Sequence, residues 1–286
     1  MRSAKIPARI AFQGVPGAYS HLACKHAYPK LEPLPCASFE DAFDAVRGGK
    51  AILAMIPIEN STAGRVAEIH QMIPEAGLHI IGEHFERVNH HLLAPPGATL
   101  KTLKTVQSHV QALDQCRGNS RALGLKRVTG ADTAGSAAEI AKAGDITRGA
   151  IASSLAGEIY GLKSLKKDFE DAAHNTTRFV VLSKKPKLAD VKSGPCVTTF
   201  VFRVKNRAAA LYKAMGGFAT NGVNMTKLES YMMGGKFTAT QFYADVEGHP
   251  DQLPLAHALE ELEFFSDMVK ILGVYPAHRY RLQGRH

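Results

Sequence analysis

Two domains of different class are expected: an α/β domain with a largely parallel sheet, then a smaller α+β unit of order βαββαβ. Three features lead there. Strand-like and helix-like patterns alternate over the first two-thirds of the chain. A stretch rich in Lys, Pro, Gly and Ser follows, from Lys184 to Pro195. Beyond it the pattern changes to alternating strands with Phe200, Phe202 and Val204 on one face. The expected division is residues 7–184, a linker at 185–195 and a second domain at 196–280, and 286 residues suit two domains.

Arg9 to Gln13 reads as a strand entering the turn Gly14-Val15-Pro16-Gly17, and Ser20 as the cap of a helix reaching Ala27. Ser38 followed by Asp41 resembles a capping box, with a helix to Arg47. Ala51 to Ile56 is an apolar run of strand length, and Pro57 to Gly64 a polar loop. Val66, Ile69 and Ile73 follow helical spacing. Leu78 to Ile81 and Val88 to Ala94 read as strands, Thr105 to Ser108 as a short one, and Val110 to Leu123 as a helix. Asp132 or Thr133 caps a helix to Ala143; Ala150 to Ala152 is a strand running into Ser153-Ser154 and a helix; Arg178 to Leu182 closes the domain. In the second domain Thr198 to Val204 is a strand, and Leu211, Met215 and Phe218 mark a helix. Met225 to Tyr231 and Phe237 to Val246 pair around Gly234-Gly235. Leu255, Leu259 and Leu262 mark a second helix, and Met268 to Val274 a last strand, a ferredoxin-like order.

Composition excludes several classes. No apolar run approaches the roughly 18 residues of a membrane span. The start lacks the apolar core of a signal peptide, which points to the cytoplasm. Cys24, Cys36, Cys116 and Cys196 form no C-x-x-C pair and read as reduced thiols. The net charge of +9 is spread in short runs, without the aromatic–basic interleaving of a single-strand binding surface, so nucleic acid is not an expected partner. Thirteen His include no H-E-x-x-H or H-x-H, and His90 and His91, adjacent on a strand, read as packing or surface residues. No metal or organic cofactor is expected. No G-x-S-x-G elbow occurs.

Ligands of open α/β sheets bind at loops beyond the strand ends. Four such loops stand out: Gly14 to Ser20, Glu59 to Gly64, Ser108 to Gln115 and Asn175 to Phe179. They supply hydroxyls, amides and a guanidinium with few acids, a set suited to an anion rather than to a metal or a carboxylate pair.

GVPGAYS (Gly14 to Ser20), PIENSTAG (Pro57 to Gly64), SHVQALDQC (Ser108 to Cys116) and NTTRF (Asn175 to Phe179) occur in the order and rough spacing of the prephenate dehydratase family, which the chain resembles over nearly its whole length. NGVNMTKLES (Asn221 to Ser230) is similar to the phenylalanine-sensing part of that family's ACT domain. An N-terminal chorismate mutase segment, carried by some relatives, is not expected. The resemblance implies a two-lobed α/β catalytic domain similar to type II periplasmic binding proteins, with the site in the cleft. It also implies the reaction: prephenate loses CO2 from C1 and hydroxide from C4, giving phenylpyruvate. Aromatisation drives the step, so the protein has mainly to orient the substrate and help hydroxide leave.

The same resemblance assigns roles. Thr177 matches the catalytic threonine, its hydroxyl a positioned weak acid for the departing C4 oxygen; otherwise it is a good strand former. Asn60, Ser61, Thr62, Ser108, Gln115, Thr176 and Arg178 are candidate substrate contacts, with Glu59, Asn175 and Phe179 in support. Arg178 serves either the pyruvyl carboxylate or a structural ion pair, because a guanidinium on the ring carboxylate would hold the charge that decarboxylation must disperse. One of Asn60, Ser61 and Thr62 could instead cap the next helix, and Gln115 could be an ordinary solvated mid-helix residue. Ala209, Ala210, Leu211, Asn224, Glu229 and Ser230 match the effector segment, binding phenylalanine between the domains of two chains in a homodimer or homotetramer. Relatives often have glycine where Ala209 stands and an arginine after Ser230, where this chain has Tyr231-Met232. The methyl of Ala209 is expected to weaken effector binding. An arogenate dehydratase, or a sensor of a small anion without turnover, are the competing readings.

Overall fold

The structure, a computed structural model, describes residues 8–172, 174–232 and 239–283. Its elements run β1 (Arg9–Gln13), α1 (Tyr19–Ala27), β2 (Glu32–Cys36), α2 (Phe39–Arg47), β3 (Leu53–Asn60), β4 (Gly64–Arg65), α3 (Ala67–Met72) with a 3-10 turn, β5 (His79–Arg87), β6 (His91–Ala94) and β7 (Thr105–Ser108). Then come α4 (Val110–Gln115), α5 (Arg117–Ala122), β8 (Lys126–Thr129), α6 (Thr133–Ala143), β9 (Arg148–Ala152), α7 (Ser154–Tyr160), β10 (Lys163–Lys166) and β11 (Thr176–Ser183). The remainder is β12 (Cys196–Val204), α8 (Ala210–Thr220), β13 (Met225–Met232), β14 (Ala239–Glu247), α9 (Leu253–Phe265), β15 (Ser266–Pro276) and α10 (Arg279–Leu282).

The strands form three sheets, ordered β2-β1-β3-β11-β5 with β4 against β3, β10-β6-β9-β7-β8, and β13-β14-β12-β15. Parallel pairs dominate around β1 and β7, but β6 is antiparallel to both β9 and β10, so the second sheet is mixed rather than largely parallel. Side chains alternate between its faces. Leu92, Ala94 and Ile151 enter one core with Val106, Leu113 and Phe169, while Leu93, Ala150 and Ala152 enter another with Ala134, Ala137 and Ile140. Burial on both faces is why these strands read as unbroken apolar runs.

Residues up to Arg65 with Phe85–Phe179 form one compact unit, and Val66–His84 with Val180–His286 another. The division passes through β5 and β11, and 66–84, expected with the first domain, groups with the C-terminal residues. In the second unit the βαββαβ order and an all-antiparallel sheet, β13-β14-β12-β15, agree with the ferredoxin-like expectation. Its core is aromatic. Phe202 lies opposite Phe242 in register, their rings stacked at 5.1 Å, and Phe200 stacks on Phe218 of α8 at 5.8 Å. The Gly234-Gly235 turn falls outside the described residues. Among the described residues no helix is long and apolar enough to cross a membrane.

Several local expectations need correction. Helix α1 begins one residue before Ser20, with Ala18 at the cap position, and Ser20 is buried inside it. The polar loop at Pro57 is strand as far as Asn60, and Gly64–Arg65 folds back on Glu59 and Asn60. The helix expected over Val110 to Leu123 is two. Asp171 accepts the backbone N–H of Gly118 (2.7 Å) and Asn119 (2.9 Å), capping α5 and letting the chain break at Cys116. Gln115 therefore ends a helix instead of lying within one. Strand β2, Glu32-Pro33-Leu34-Pro35-Cys36, was concealed by its prolines. Glu32 donates to Ala8 and Cys36 accepts from Gly14, so the alternate residues, Pro33 and Pro35, face away from β1, where no N–H is needed.

Candidate active site

Strands β3 and β11 lie side by side, which brings Asn60, at the end of one, to Asn175 and Thr177 at the start of the other. The sense of the hydrogen bonds there is fixed by two backbone donors. Thr62 N–H (3.0 Å) and Ala63 N–H (2.9 Å) both donate to one side-chain atom of Asn60, which must therefore be the oxygen. The other atom is the amide nitrogen, donating to Asn175 Oδ1 (2.7 Å) and Thr177 Oγ1 (2.9 Å). Asn175 Oδ1 being an acceptor, its nitrogen donates to Gln115 Oε1 (2.8 Å). Gln115 Nε2 then donates to Thr62 Oγ1 (2.9 Å), and the Thr62 hydroxyl donates back to Asn60 Oδ1 (2.8 Å). Four side chains close a ring whose polarity propagates from the turn after β3.

This ring tells what Thr177 can do. Its oxygen already accepts from the Asn60 amide, so its own proton is directed elsewhere. A hydroxyl held in that sense is a donor to whatever oxygen arrives.

Ser61 ties the same two segments together. Its hydroxyl donates to His174 O (2.8 Å) and accepts from Thr176 N (3.0 Å), and its N–H donates to Thr176 O (2.9 Å). Arg178, 2% exposed, pairs with Glu59 at 2.9 Å. That ion pair is one of the two uses open to it, the pyruvyl carboxylate being the other. Phe179 is buried core. Ser108 stands apart from the ring: it is fully buried and donates to Ile151 O at 2.6 Å, binding β7 to β9. Gly14 to Ser20 also acts as a joint. Gly17 has φ +90°, a Cβ there would stand 2.8 Å from Ala156 Cα, and its carbonyl accepts from Ser153 Oγ at 2.5 Å.

Two residues missing from the candidates adjoin the ring. His90 is buried, with Nε2 2.9 Å from Gln115 Oε1 and Nδ1 2.9 Å from the Tyr19 hydroxyl. Its backbone N–H donates to buried Glu170 at 2.8 Å. Burial lowers the His90 pKa, against the opposing pull of its Gln115 bond and the Glu170 charge. Burial, helped by Glu170, pushes the Tyr19 phenol well up. Adjacency to His91 suggested only packing; Tyr19 in GVPGAYS was the available hint.

The second unit holds the effector candidates. Asn224 lines a cavity of about 570 Å³ with Gly222, Val223, Glu247, Gly248 and Gln252. Ala209, at φ +61°, is the residue before α8, which begins with Ala210 and Leu211. Glu229 pairs with Lys227 at 3.3 Å, and Ser230 is an exposed residue of β13. The four cysteines are free thiols. Among the described residues no three His, Cys, Asp or Glu side chains gather so as to hold a metal ion.

Known proteins resemble the chain throughout. The family described as Prephenate dehydratase matches residues 10–187. A Komagataeibacter europaeus protein named bifunctional N-acyl-homoserine lactone acylase/prephenate dehydratase is 53% identical over 95% of this chain and 97% of its own. Arogenate dehydratase/prephenate dehydratase 1 of Arabidopsis thaliana is 37% identical over 94% of this chain and 72% of its own. The prephenate dehydratase of Arthrobacter aurescens, solved in complex with L-Phe, superposes with a TM-score of 0.86 at 29% identity, covering 94% of this chain and 90% of its own.

Proposed function

The chain belongs to the prephenate dehydratase family, and from that premise we propose that it is a carbon–oxygen lyase converting prephenate to phenylpyruvate for phenylalanine biosynthesis. The observation that carries the reading is the locked Asn60 amide, which fills the acceptor side of Thr177 and leaves its proton for the C4 hydroxyl of the substrate. The balance is simple. The C1–CO2 bond breaks and its electron pair enters the ring; the C4–O bond breaks and its pair departs with the oxygen as hydroxide, stabilised by the Thr177 hydrogen bond and converted to water by a proton from solvent. Neutral donors, Asn60, Asn175, Gln115 and Thr62, hold the ring without clamping the carboxylate that must lose its charge. The Arg178–Glu59 pair supports this turn rather than the substrate.

The test is purified protein with prephenate, product followed by absorbance and mass spectrometry. Turnover without added metal and unaffected by EDTA is expected; loss with EDTA and recovery with zinc would overturn it. Arogenate is the second substrate to assay, since plant relatives named for both acids are 37–38% identical; faster turnover of arogenate would reassign the specificity. The name of the 53% identical relative motivates a further assay, hydrolysis of N-acyl-homoserine lactones. The geometry favours the lyase reading over it, because Thr177 receives an amide N–H where an acyl-transfer nucleophile would face a base.

The C-terminal unit is read as an ACT domain that binds phenylalanine and inhibits at a distance, in a homodimer or homotetramer. Its βαββαβ order and the L-Phe complex of the Arthrobacter relative support this. Inhibition requires that phenylalanine bind two states of the protein unequally.

A further inference from the structure

We propose that His90 is a positioning residue of the active site: as the neutral Nε2–H tautomer, held by Tyr19, it fixes the side-chain amide of Gln115. The inference rests on the dehydratase reading for its kinetic consequence, though not for its geometry.

The polarity of the ring extends one step beyond its four members. Gln115 Oε1 accepts from Asn175 Nδ2, whose identity follows from the backbone donors at Thr62 and Ala63. The His90 nitrogen 2.9 Å from that oxygen must therefore carry the proton. In a neutral imidazole Nδ1 is then a lone pair, and the Tyr19 hydroxyl 2.9 Å away shares its one proton between that lone pair and the Asn89 carbonyl at 2.7 Å. The two rings meet edge to face at 5.5 Å, which leaves the imidazole little rotational freedom. The Glu170 bond to the His90 backbone fixes the root of the side chain.

Without His90 the Gln115 amide keeps its partners Asn175 and Thr62, yet nothing on the His90 side holds its oxygen in that plane. An amide free to turn over would present N–H to Asn175 Nδ2 and oppose the sense of the whole ring. The buried imidazole thus prevents one wrong orientation of a substrate-facing amide. It touches no reacting atom itself.

Glutamine and asparagine separate this role from general packing. The amide nitrogen of Gln can reach the place of imidazole Nε2; that of Asn reaches only the place of Nδ1. In prephenate turnover, His90→Gln is expected to keep kcat/KM within about threefold, and His90→Asn to lose about tenfold or more. Placed in a Gln115→Ala background, His90→Asn should cost less than about twofold, because the amide it orients is gone. Equal losses for Gln and Asn, or full additivity with Gln115→Ala, would overturn the assignment. Should His90→Asn fail to fold, the comparison of His90→Gln with the unaltered protein and the 15N shifts of the His90 ring decide. The expected spectrum is the Nε2–H tautomer at neutral pH; the Nδ1–H tautomer sinks the assignment. The spectrum needs no substrate. A protein that turns over no prephenate but shows the Nε2–H tautomer defeats the functional reading and leaves the geometry standing.

Discussion

At Thr177 a single hydroxyl, whose acceptor side is filled by the Asn60 amide, is asked to help hydroxide leave. Thr177→Ala is expected to lower kcat by roughly 10²-fold or more, the usual scale of a positioned acid, with little change in KM. Thr177→Ser should retain part of the activity. A near-normal kcat for Thr177→Ala in steady-state turnover would contradict the mechanism. The sharper probe is Asn60→Asp, which changes shape hardly at all. Either oxygen of the carboxylate can accept from Thr62 and Ala63, and the other then meets Asn175 Oδ1 and draws the Thr177 proton inward. A loss comparable to Thr177→Ala, about 10²-fold, is expected with the circular dichroism of the fold preserved; an active Asn60→Asp would mean that the sense of the ring is irrelevant. The sequence made the members of this ring legible as motifs. It did not make their polarity legible, because that arises from a chain reversal after Asn60 and from partners far off: Asn60 and Thr177 are 117 residues apart, Tyr19 and His90 71. His90 was unreadable for the same reason, since neither ring partner is a sequence neighbour.

Elements were legible where local chemistry agreed with the fold. The capping box at Ser38 and Asp41, and Asp132 at the start of α6, stand where their side chains predict. Elements whose composition argues against their state were not. Strand β2 carries two prolines; β8, Lys-Arg-Val-Thr, is exposed throughout; β10 reads as a run of charge. Ala209 shows how structure changes the meaning of a residue. Sequence comparison treats its methyl as an obstacle to a ligand, whereas its φ of +61° places it in the left-handed region that disfavours any side chain. Ala209→Gly is accordingly expected to raise unfolding stability by about 0.5–1 kcal/mol, the relief of the left-handed strain less the added freedom of the unfolded glycine. Urea denaturation measures that effect, and calorimetry with phenylalanine measures the other. Tighter binding supports crowding by the methyl; unchanged or weaker binding places Ala209 away from the ligand.

For the molecule as a whole, four buried or half-buried histidines set an acid limit. Burial is the leading cause that lowers the pKa of His21, His90, His91 and His278 from the ordinary 6.5. Each takes up its proton less readily when folded, so below about pH 6.5 the unfolded chain binds more protons and stability rises with pH there. Stability is therefore full above that pH and declines as pH falls toward the folded pKa values. Urea midpoints at pH 7.5 and 5.5 should show the lower value at 5.5, with a smaller gap in His90→Gln. The lowered carboxylates, Asp114 and Asp145, act in a separate window, below their ordinary 3.8. A midpoint that is flat or higher at pH 5.5 would contradict the sign.

The two prolines of β2 bear on how the molecule behaves among its own copies. This strand is one edge of its sheet, β5 being the other, and a bare outer strand is a template on which another chain can grow. At Pro33 and Pro35 the outward positions have no hydrogen to offer, so an incoming strand would meet carbonyls that can accept but nothing that donates in return. This edge of the sheet is thereby blocked against strand addition at the very residues that hide it from a reader of the sequence, and a valine at either position would improve the strand while exposing that edge to aggregation.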